Sequence, residues 1–354
     1  MKIGGPSGKF KKLTGQANSV QGFFNGIFGL ITLIFCSLAY YLVSQLVSPR
    51  WGFSALVFPL GISPLCLSFF LRRFIKPLSR GPIRLRYRLE ISSFKHWFSN
   101  PRFFLNFVLF AITATALYSF KISFGVFNYY LSNNLFFPTM VVLLLGLLRT
   151  YFFRFFIAPF AGRFGARSGS ATKFLSVFLF LAGLFTGLIV FLPYLFVSFE
   201  RGFLLSFTQF EFYFRTFGSN PILFSIVSLF YLLLGIVTWS LVVIRWSPIS
   251  ELGTPDHLYG STVGLASFFV LSANIWLFEI FHFIQSKNER LIVDSNGIIA
   301  IVVTFRGTVL IALVLITIAF VGATASFVLS LIKRKGLTLH LKKMSVNFTK
   351  VVLE

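Results

Sequence analysis

The sequence is poor in acidic residues and cysteine, and each shortage excludes a class of function. Nine Asp and Glu residues stand against 32 Lys and Arg, and charged residues make up only 12% of the 354 residues. With 56% hydrophobic residues, the chain is too apolar for a soluble globular domain. Both cysteines, Cys36 and Cys66, lie within apolar runs, which argues against a disulfide framework or a Cys-based metal site. We therefore expect an integral membrane protein without a metal or another cofactor.

Catalytic signatures are also missing. The chain has no Gly-rich phosphate loop with its Lys, and only one of its four histidines, His282, lies inside a long apolar run. A haem-binding bundle needs paired histidines, so cytochrome b and chlorophyll-binding roles are disfavoured. Glu251, Asp256 and His257 form the one cluster typical of a membrane-embedded enzyme acting on lipid, but their spacing does not match a metal-ligand pattern. Whether the chain has catalytic activity of its own stays open.

Long apolar runs are abundant, and eight have the length of about 20 residues that a helix needs to cross the hydrocarbon core. The sequence therefore predicts an all-α polytopic membrane domain over 23–332, with a basic head at 1–22 and a basic tail at 333–354. The eight predicted spans are Phe23–Val47, Gly52–Leu71, Phe103–Phe120, Leu135–Phe160, Phe174–Phe199, Pro221–Ile244, Thr262–Gln285 and Thr308–Ile332.

The distribution of basic residues tests the number of spans independently. With the N-terminus placed inside, 23 of the 32 Lys and Arg residues fall on the inner side and seven fall on the outer side. This asymmetry is the one that the positive-inside rule describes. The charges therefore predict that both termini lie on the positive side, which is the matrix or the cytoplasm.

The longest polar segment, 72–102, combines basic and aromatic residues beside a predicted span. It contains Arg84, Arg86 and Arg88 at alternate positions, followed by Trp97. Such a stretch is typical of an interfacial segment that binds anionic lipid headgroups, including those of cardiolipin. The alternative is an acidic partner or ribosomal RNA, and a nucleic acid is the less favoured of these interpretations.

Two polar groups lie inside the predicted spans, where ionisable residues are costly and mark functional sites. Arg149 and Arg154 share the fourth span. Five residues separate them by about 140° on an ideal helix, so we expect them on different faces, with at most one deep in the membrane. Glu279, His282 and Gln285 recur every three residues in the seventh span and form one stripe. Both groups are candidates for a proton path, and the alternative for the stripe is an ordinary polar helix end.

The segment that begins at Arg154 resembles the arginine helix of subunit a of the F-type ATP synthase. Arg154 falls at the position of the family's arginine, Phe155 falls at its leucine, and Ala161 with Gly162 falls at its pair of small residues. The sequence departs from the family in three places. Ala158 replaces an Asn, Pro159 interrupts the helix, and Arg163 replaces a His or Glu.

The resemblance implies a rotary proton-translocating role. In that family an arginine of the static subunit faces carboxylates on a rotor ring, and a nearby positive charge favours the ionised carboxylate. The resemblance assigns this role to Arg154 and makes Glu200 and Gln209, downstream of the next apolar run, half-channel candidates. It covers about 60 residues, and the last three predicted spans have no counterpart in the family.

The phenylalanine content indicates the kind of genome that encodes the protein. Phe accounts for 51 residues, and its codons begin with two thymines, so the number favours a thymine-skewed organellar gene. We therefore predict a subunit of an energy-transducing complex of the mitochondrial inner membrane, either ATP synthase or the respiratory chain, with other subunits and anionic lipids as partners. The alternatives are an accessory structural subunit and a membrane transporter or protein translocase.

Overall fold

A computed structural model describes residues 101–167, 170–202, 204–217, 220–251, 259–293 and 299–352. These residues are almost entirely helical. The elements in chain order are α1 Pro101–Ile122; α2 Phe124–Tyr129 with the π-helical turn Tyr130–Asn134; α3 Thr139–Leu147 with the π-helical turn Leu148–Phe152; α4 Phe153–Arg167; α5 Ala171–Arg201; α6 Phe207–Phe217; α7 Pro221–Ile244; the 3₁₀ turn Ser247–Glu251; α8 Tyr259–Lys287; the strands β1 Glu289–Val293 and β2 Ile299–Val303; and α9 Phe305–Val352.

Six helical stretches of the described residues are long and apolar enough to cross a membrane, and each overlaps one predicted span, although the first continues to Asn134 and not to the predicted end at Phe120. The predicted spans Phe23–Val47 and Gly52–Leu71 lie outside the described residues, so the number eight and the orientation of the termini stay predictions. The six stretches are Phe103–Asn134, Thr139–Ile157, Ala171–Arg201, Pro221–Ile244, Thr262–Lys287 and Phe305–Lys333.

One β-hairpin departs from the all-α prediction. The strands β1 and β2 pair antiparallel, with Glu289 opposite Val303 and Val293 opposite Ile299. The two strands are rich in β-branched residues, which favour extended backbone. The predicted spans left 286–307 without secondary structure, and β1 and β2 form a short ribbon there between α8 and α9.

The fourth predicted span begins later than expected. The backbone of Phe136 has a positive φ of 53°, and Pro138 is extended immediately before α3. Because a left-handed bulky residue and a proline both stop a helix, the segment 135–138 forms a corner and not the first turn of the span.

Helix α9 packs on α5 and α1. Small residues allow the close approach, because a Cβ on Gly322 would collide with the Cβ of Ala116. Interhelical hydrogen bonds add to this packing, and Ser326 Oγ donates to the carbonyl of Thr172 over 2.7 Å. Both devices are typical of helix association in membranes, where lipid is as apolar as leucine and apolar contact alone gives little driving force.

The ends of successive spans gather at one end of the bundle, as an up-and-down order requires. Asn134 Nδ2 donates to the carbonyl of Val303 over 3.2 Å, and Thr308 Oγ1 bonds Asn134 Oδ1 over the same distance. Tyr129 Oη accepts from the amide of Val303 over 2.7 Å. We call this end, formed by the described residues 129–136, 201–202, 204–217, 287–293 and 299–305, the hairpin end.

Candidate functional site

Arg149 is the largest fully buried side chain among the described residues. It lies near the middle of the span Thr139–Ile157, within the π-helical turn Leu148–Phe152, and its exposed fraction is 0%. A guanidinium stays charged and carries five N–H donors. The described bundle therefore encloses a permanent cation.

Aromatic rings surround the guanidinium of Arg149. Its central carbon lies 3.9 Å from the ring centroid of Phe124, 4.4 Å from that of Tyr231 and 5.3 Å from that of Phe127. Cation–π attraction is worth about 2 kcal/mol or more when the pair is desolvated. We call Arg149, Phe124, Phe127 and Tyr231 the arginine cage. The cage offsets part of the free-energy cost of desolvating the cation, and it supplies no opposite charge.

The donors of Arg149 have no acceptor among the described residues. The atoms Nε, Nη1 and Nη2 are buried without a hydrogen-bond partner. An ion pair of the described residues joins Arg290 to Glu211 at the hairpin end, and Arg149 takes no part in it. A buried cation without an acceptor is costly, which makes it a candidate binding site for an anion.

A polar pair extends the arginine cage toward α2. The hydroxyl of Tyr231, which is 1% exposed, hydrogen-bonds Asn128 Oδ1. The amide of Asn128 lies beside Gly146, whose missing side chain leaves room for it. The cage is thereby joined to a second polar side chain on a different span.

Gly235 leaves the space on α7 that the side chain of Arg149 occupies. A Cβ at this position would lie 2.6 Å from Arg149 Cγ and 3.2 Å from Phe153 Cδ2. Since carbon atoms do not approach so closely, only glycine fits opposite the stem of the arginine. The backbone of α7 therefore packs directly on the side chain of Arg149.

The π-helical turn changes the relation between the two arginines. Its i→i+5 hydrogen bonds, such as the one from the Phe153 amide to the Leu148 carbonyl, widen the helix between Arg149 and Arg154. Both arginines consequently face α7, and Trp239 contacts both of them. The angle of about 140° was expected for an ideal α-helix, and the π-helical turn departs from that geometry.

Arg154 is less enclosed than Arg149. Its side chain is partly buried, with its guanidinium carbon 5.2 Å from the ring centroid of Trp239, and its Nε is buried without a hydrogen-bond partner. The neighbouring Phe152 and Phe156 are exposed. Arg154 therefore lies nearer the surface of the described bundle, whereas the resemblance drew attention to it as the principal arginine.

The half-channel candidates Glu200 and Gln209 lie at the hairpin end. Glu200 Oε2 accepts from the hydroxyl of Tyr213 over 3.4 Å. Gln209 Oε1 accepts from the amide of Ser206 over 2.8 Å while Ser206 Oγ accepts from the amide of Gln209, which is a reciprocal cap of α6. Neither side chain forms a hydrogen bond or an ion pair with Arg149 or Arg154 among the described contacts.

The polar stripe of α8 lies on the outside of the described bundle. Glu279 and His282 are exposed and Gln285 is partly buried, within eight residues of the helix end at Lys287. The structure does not bring the stripe to the arginine cage. No group of three or more His, Cys, Asp or Glu side chains arranged to hold a metal ion occurs in the part of the chain that the structure describes.

The lipid-binding candidates Arg84, Arg86, Arg88 and Trp97 lie outside the described residues, and their role stays a prediction. Sequence reasoning also missed Asn128, Tyr231 and Trp239. Their one signal in the sequence is a polar or amphipathic side chain within an apolar run, and many membrane helices share that signal.

Comparison with known proteins yields one informative relative. The chain is 26% identical over 280 residues to an uncharacterized protein of Mycoplasma pneumoniae, the MG294 homolog. The match covers 74% of this chain and 53% of the relative, so the chain spans about half the length of that protein. No protein-family model matches the chain, and no solved structure matches it.

Proposed function

We propose that this protein is a membrane transporter that binds a solute through an anionic group at Arg149. The observation that carries the proposal is a fully buried guanidinium near the middle of a span, with three nitrogen atoms that lack acceptors among the described residues. Intramembrane charges of this kind mark substrate pathways. A carboxylate or phosphate accepts two parallel hydrogen bonds from a guanidinium, which is the geometry that Arg149 offers.

The free-energy cost of burying Arg149 in the membrane favours a functional role for this residue over a packing role. Even insertion-derived scales charge about 2.5–3.5 kcal/mol for an arginine at the centre of a membrane helix. The arginine cage offsets part of this cost through cation–π contacts. An apolar residue of similar volume would fill the same space at no such cost. An anion that binds the guanidinium would explain why an arginine and not an apolar residue occupies this position.

The enclosure of Arg149 agrees with an occluded state of a transporter. Access to the guanidinium requires separation of α2 from α7, because Phe124 and Tyr231 cover it from these two helices. Alternating access moves packed helices about a site near the midplane of the membrane.

Uptake into proteoliposomes tests the proposal, with inorganic phosphate, succinate and glutamate as the labelled probes. We expect Arg149→Gln to abolish uptake of the transported probe. Arg149→Lys should reduce uptake strongly, because an ammonium does not form the two parallel bonds. The matched control is Lys173→Gln, which removes an equal charge from an exposed position in the first turn of α5 and should retain uptake.

A stability measurement accompanies this experiment. Arg149→Gln removes an unpaired buried charge, so the thermal stability of the variant should equal or exceed that of the native protein. Native uptake by Arg149→Gln would overturn the proposal and favour a purely structural subunit.

A second candidate is the rotary role that the resemblance to subunit a implies. The observation in its favour is that Arg154 lies nearer the surface of the bundle, beside the exposed Phe152 and Phe156, where another subunit has access. Arg154→Ala should then abolish coupled proton transport and leave assembly intact. If the protein is instead a transporter, substitution of Arg149 should abolish transport, whereas substitution of Arg154 should reduce it less.

The membrane in which the protein acts is part of the proposal. The six apolar helices indicate an integral membrane protein. The named relative belongs to a bacterium, and this origin favours a bacterial cell membrane over the mitochondrial inner membrane that the phenylalanine content predicted. Membrane fractionation of the source cells tests this assignment.

A further inference from the structure

A polar pocket of about 480 Å³ opens at the hairpin end of the bundle. Its volume lies in the range of small-molecule sites. Its wall contains one carboxylate, one guanidinium, two side-chain amides and two hydroxyls, a composition that differs from the apolar surface of the spans. These polar side chains belong to Glu211, Arg290, Asn133, Asn134, Thr208 and Thr304.

The two charged groups of the pocket are held close but not tightly bonded. Arg290 Nη1 lies 3.7 Å from Glu211 Oε2, which exceeds the length of a direct hydrogen bond. Glu211 Oε1 accepts from the amide of Phe305, the first residue of α9. The carboxylate is therefore fixed at one oxygen, while the other oxygen and the half-exposed guanidinium are available to a solute.

The lining of the pocket includes the strained corner of the chain. Phe136, whose φ is 53°, lines the pocket. Residues held in sparsely populated backbone regions cluster at binding sites, where the surrounding structure compensates the strain. The side-chain amide of Asn133 reaches the same pocket and supplies a neutral polar contact.

One segment joins the pocket to the arginine cage. Residues 124–134 contain Phe124 and Asn128 of the cage region, and Asn133 of the pocket follows Asn128 by five residues. At about 1.5 Å of rise per helical residue, the two amides are separated by roughly 8 Å along the helix axis. The pocket thus lies within two helical turns of Asn128, which the hydroxyl of Tyr231 joins to the arginine cage.

We propose that this pocket binds a solute of the amino-acid class, with its carboxylate at Arg290 and its ammonium group at Glu211, as the entry site to Arg149. The inference rests on the proposed transport function and names its substrate class. A paired guanidinium and carboxylate match a zwitterion, whereas a simple anion meets repulsion from Glu211. Neither charge of the zwitterion is left without a partner in the pocket.

Binding to the full-length protein in detergent tests the inference, with thermal unfolding as the readout. The probes are the individual L-amino acids, the carboxylic acids that lack their amino group and the amines that lack their carboxylate. At least one amino acid should raise the unfolding temperature, and its two truncated analogues should not. No shift with any amino acid, or an equal shift with the matched carboxylic acid, would overturn the assignment.

Two variants that each remove one charge separate binding from structural roles. Glu211→Gln keeps an oxygen that accepts from the amide of Phe305, so α9 remains capped while the negative charge is lost. Because hydrogen bonds to charged groups contribute about 1.5–3 kcal/mol, each of Glu211→Gln and Arg290→Gln should weaken amino-acid affinity by about tenfold or more. Lys287→Gln, an exposed charge at the end of α8, is the matched control and should bind as the native protein does.

A merely structural ion pair predicts a different pattern. Glu211→Gln and Arg290→Gln would then lower the unfolding temperature of the free protein and leave the ligand-induced shift unchanged, which overturns the inference. Failure of this inference is also distinguishable from failure of the proposed function. If both are correct, Arg149→Gln should abolish uptake and retain amino-acid binding in the pocket. If the protein takes up a simple anion and binds no amino acid in the pocket, the transport function stands and the entry site is excluded.

Discussion

The indole N–H of Trp239 donates a 2.7 Å hydrogen bond to the backbone carbonyl of Arg149. The acceptor lies in the π-helical turn Leu148–Phe152, where the regular α-helical bonding of the span is interrupted. The same indole also lies against the guanidinium of Arg154. Trp239 therefore holds the irregular turn against α7 and fixes both arginines relative to that helix.

Trp239→Phe should destabilise the protein, because it leaves the buried carbonyl of Arg149 without its donor. The unsatisfied group costs about 1–3 kcal/mol, and thermal unfolding in detergent measures the loss. The matched control is Trp276→Phe, in the wall of an apolar groove between α1, α8 and α9. An equal loss in both variants would show that aromatic volume matters and the hydrogen bond does not.

Gly235→Ala should displace Arg149, because the added Cβ would lie 2.6 Å from its Cγ. Overpacking of a filled core typically costs about 1–3 kcal/mol. We expect lower thermal stability together with reduced anion uptake. The control is Gly264→Ala, where a Cβ meets nothing within 4 Å and the loss of a helical glycine is neutral or slightly stabilising. Native uptake by Gly235→Ala would contradict the close packing of α7 on the arginine.

Tyr231 contributes two separable interactions. Tyr231→Phe keeps the ring at 4.4 Å from the guanidinium and removes the hydrogen bond to Asn128, whereas Tyr231→Leu removes both. If the ring offsets the charge of Arg149, Tyr231→Leu should lower stability by about 2 kcal/mol more than Tyr231→Phe does. Equal stabilities of the two variants would exclude a cation–π role for this ring.

The charge asymmetry predicts the orientation of the bundle in the membrane. In a background without Cys36 and Cys66, single cysteines at Thr208 and Lys287 should react with a membrane-impermeant maleimide on one side of the membrane, and a cysteine at Ser170 should react on the other. The positive-inside rule places Thr208 and Lys287 outside. Labelling of all three positions from the same side would contradict the up-and-down order, and reversed labelling would contradict the orientation.

The sequence by itself located the six spans of the described bundle, five of them to within a few residues at both ends, whereas the stretch predicted as Phe103–Phe120 continues to Asn134. The length of an apolar run and the cost of burying charge are properties of each segment, so they can be read without knowledge of its neighbours. The position of Arg149 near the middle of an apolar run was likewise visible. The boundary error at 135–138 arose because the left-handed backbone of Phe136 leaves no clear signal in a phenylalanine-rich stretch.

Only the tertiary structure decided which arginine is enclosed and what surrounds it. Spans that are apolar around their circumference carry little information about which face meets a neighbour, because lipid and protein interior are both apolar. Arg149 meets Tyr231 across more than 80 residues of chain, and the π-helical turn rotates Arg154 toward the same helix. The pocket at Glu211 and Arg290 likewise joins segments far apart in sequence. Helix rotation and these long-range contacts depend on packing between spans, which no single segment of the sequence specifies.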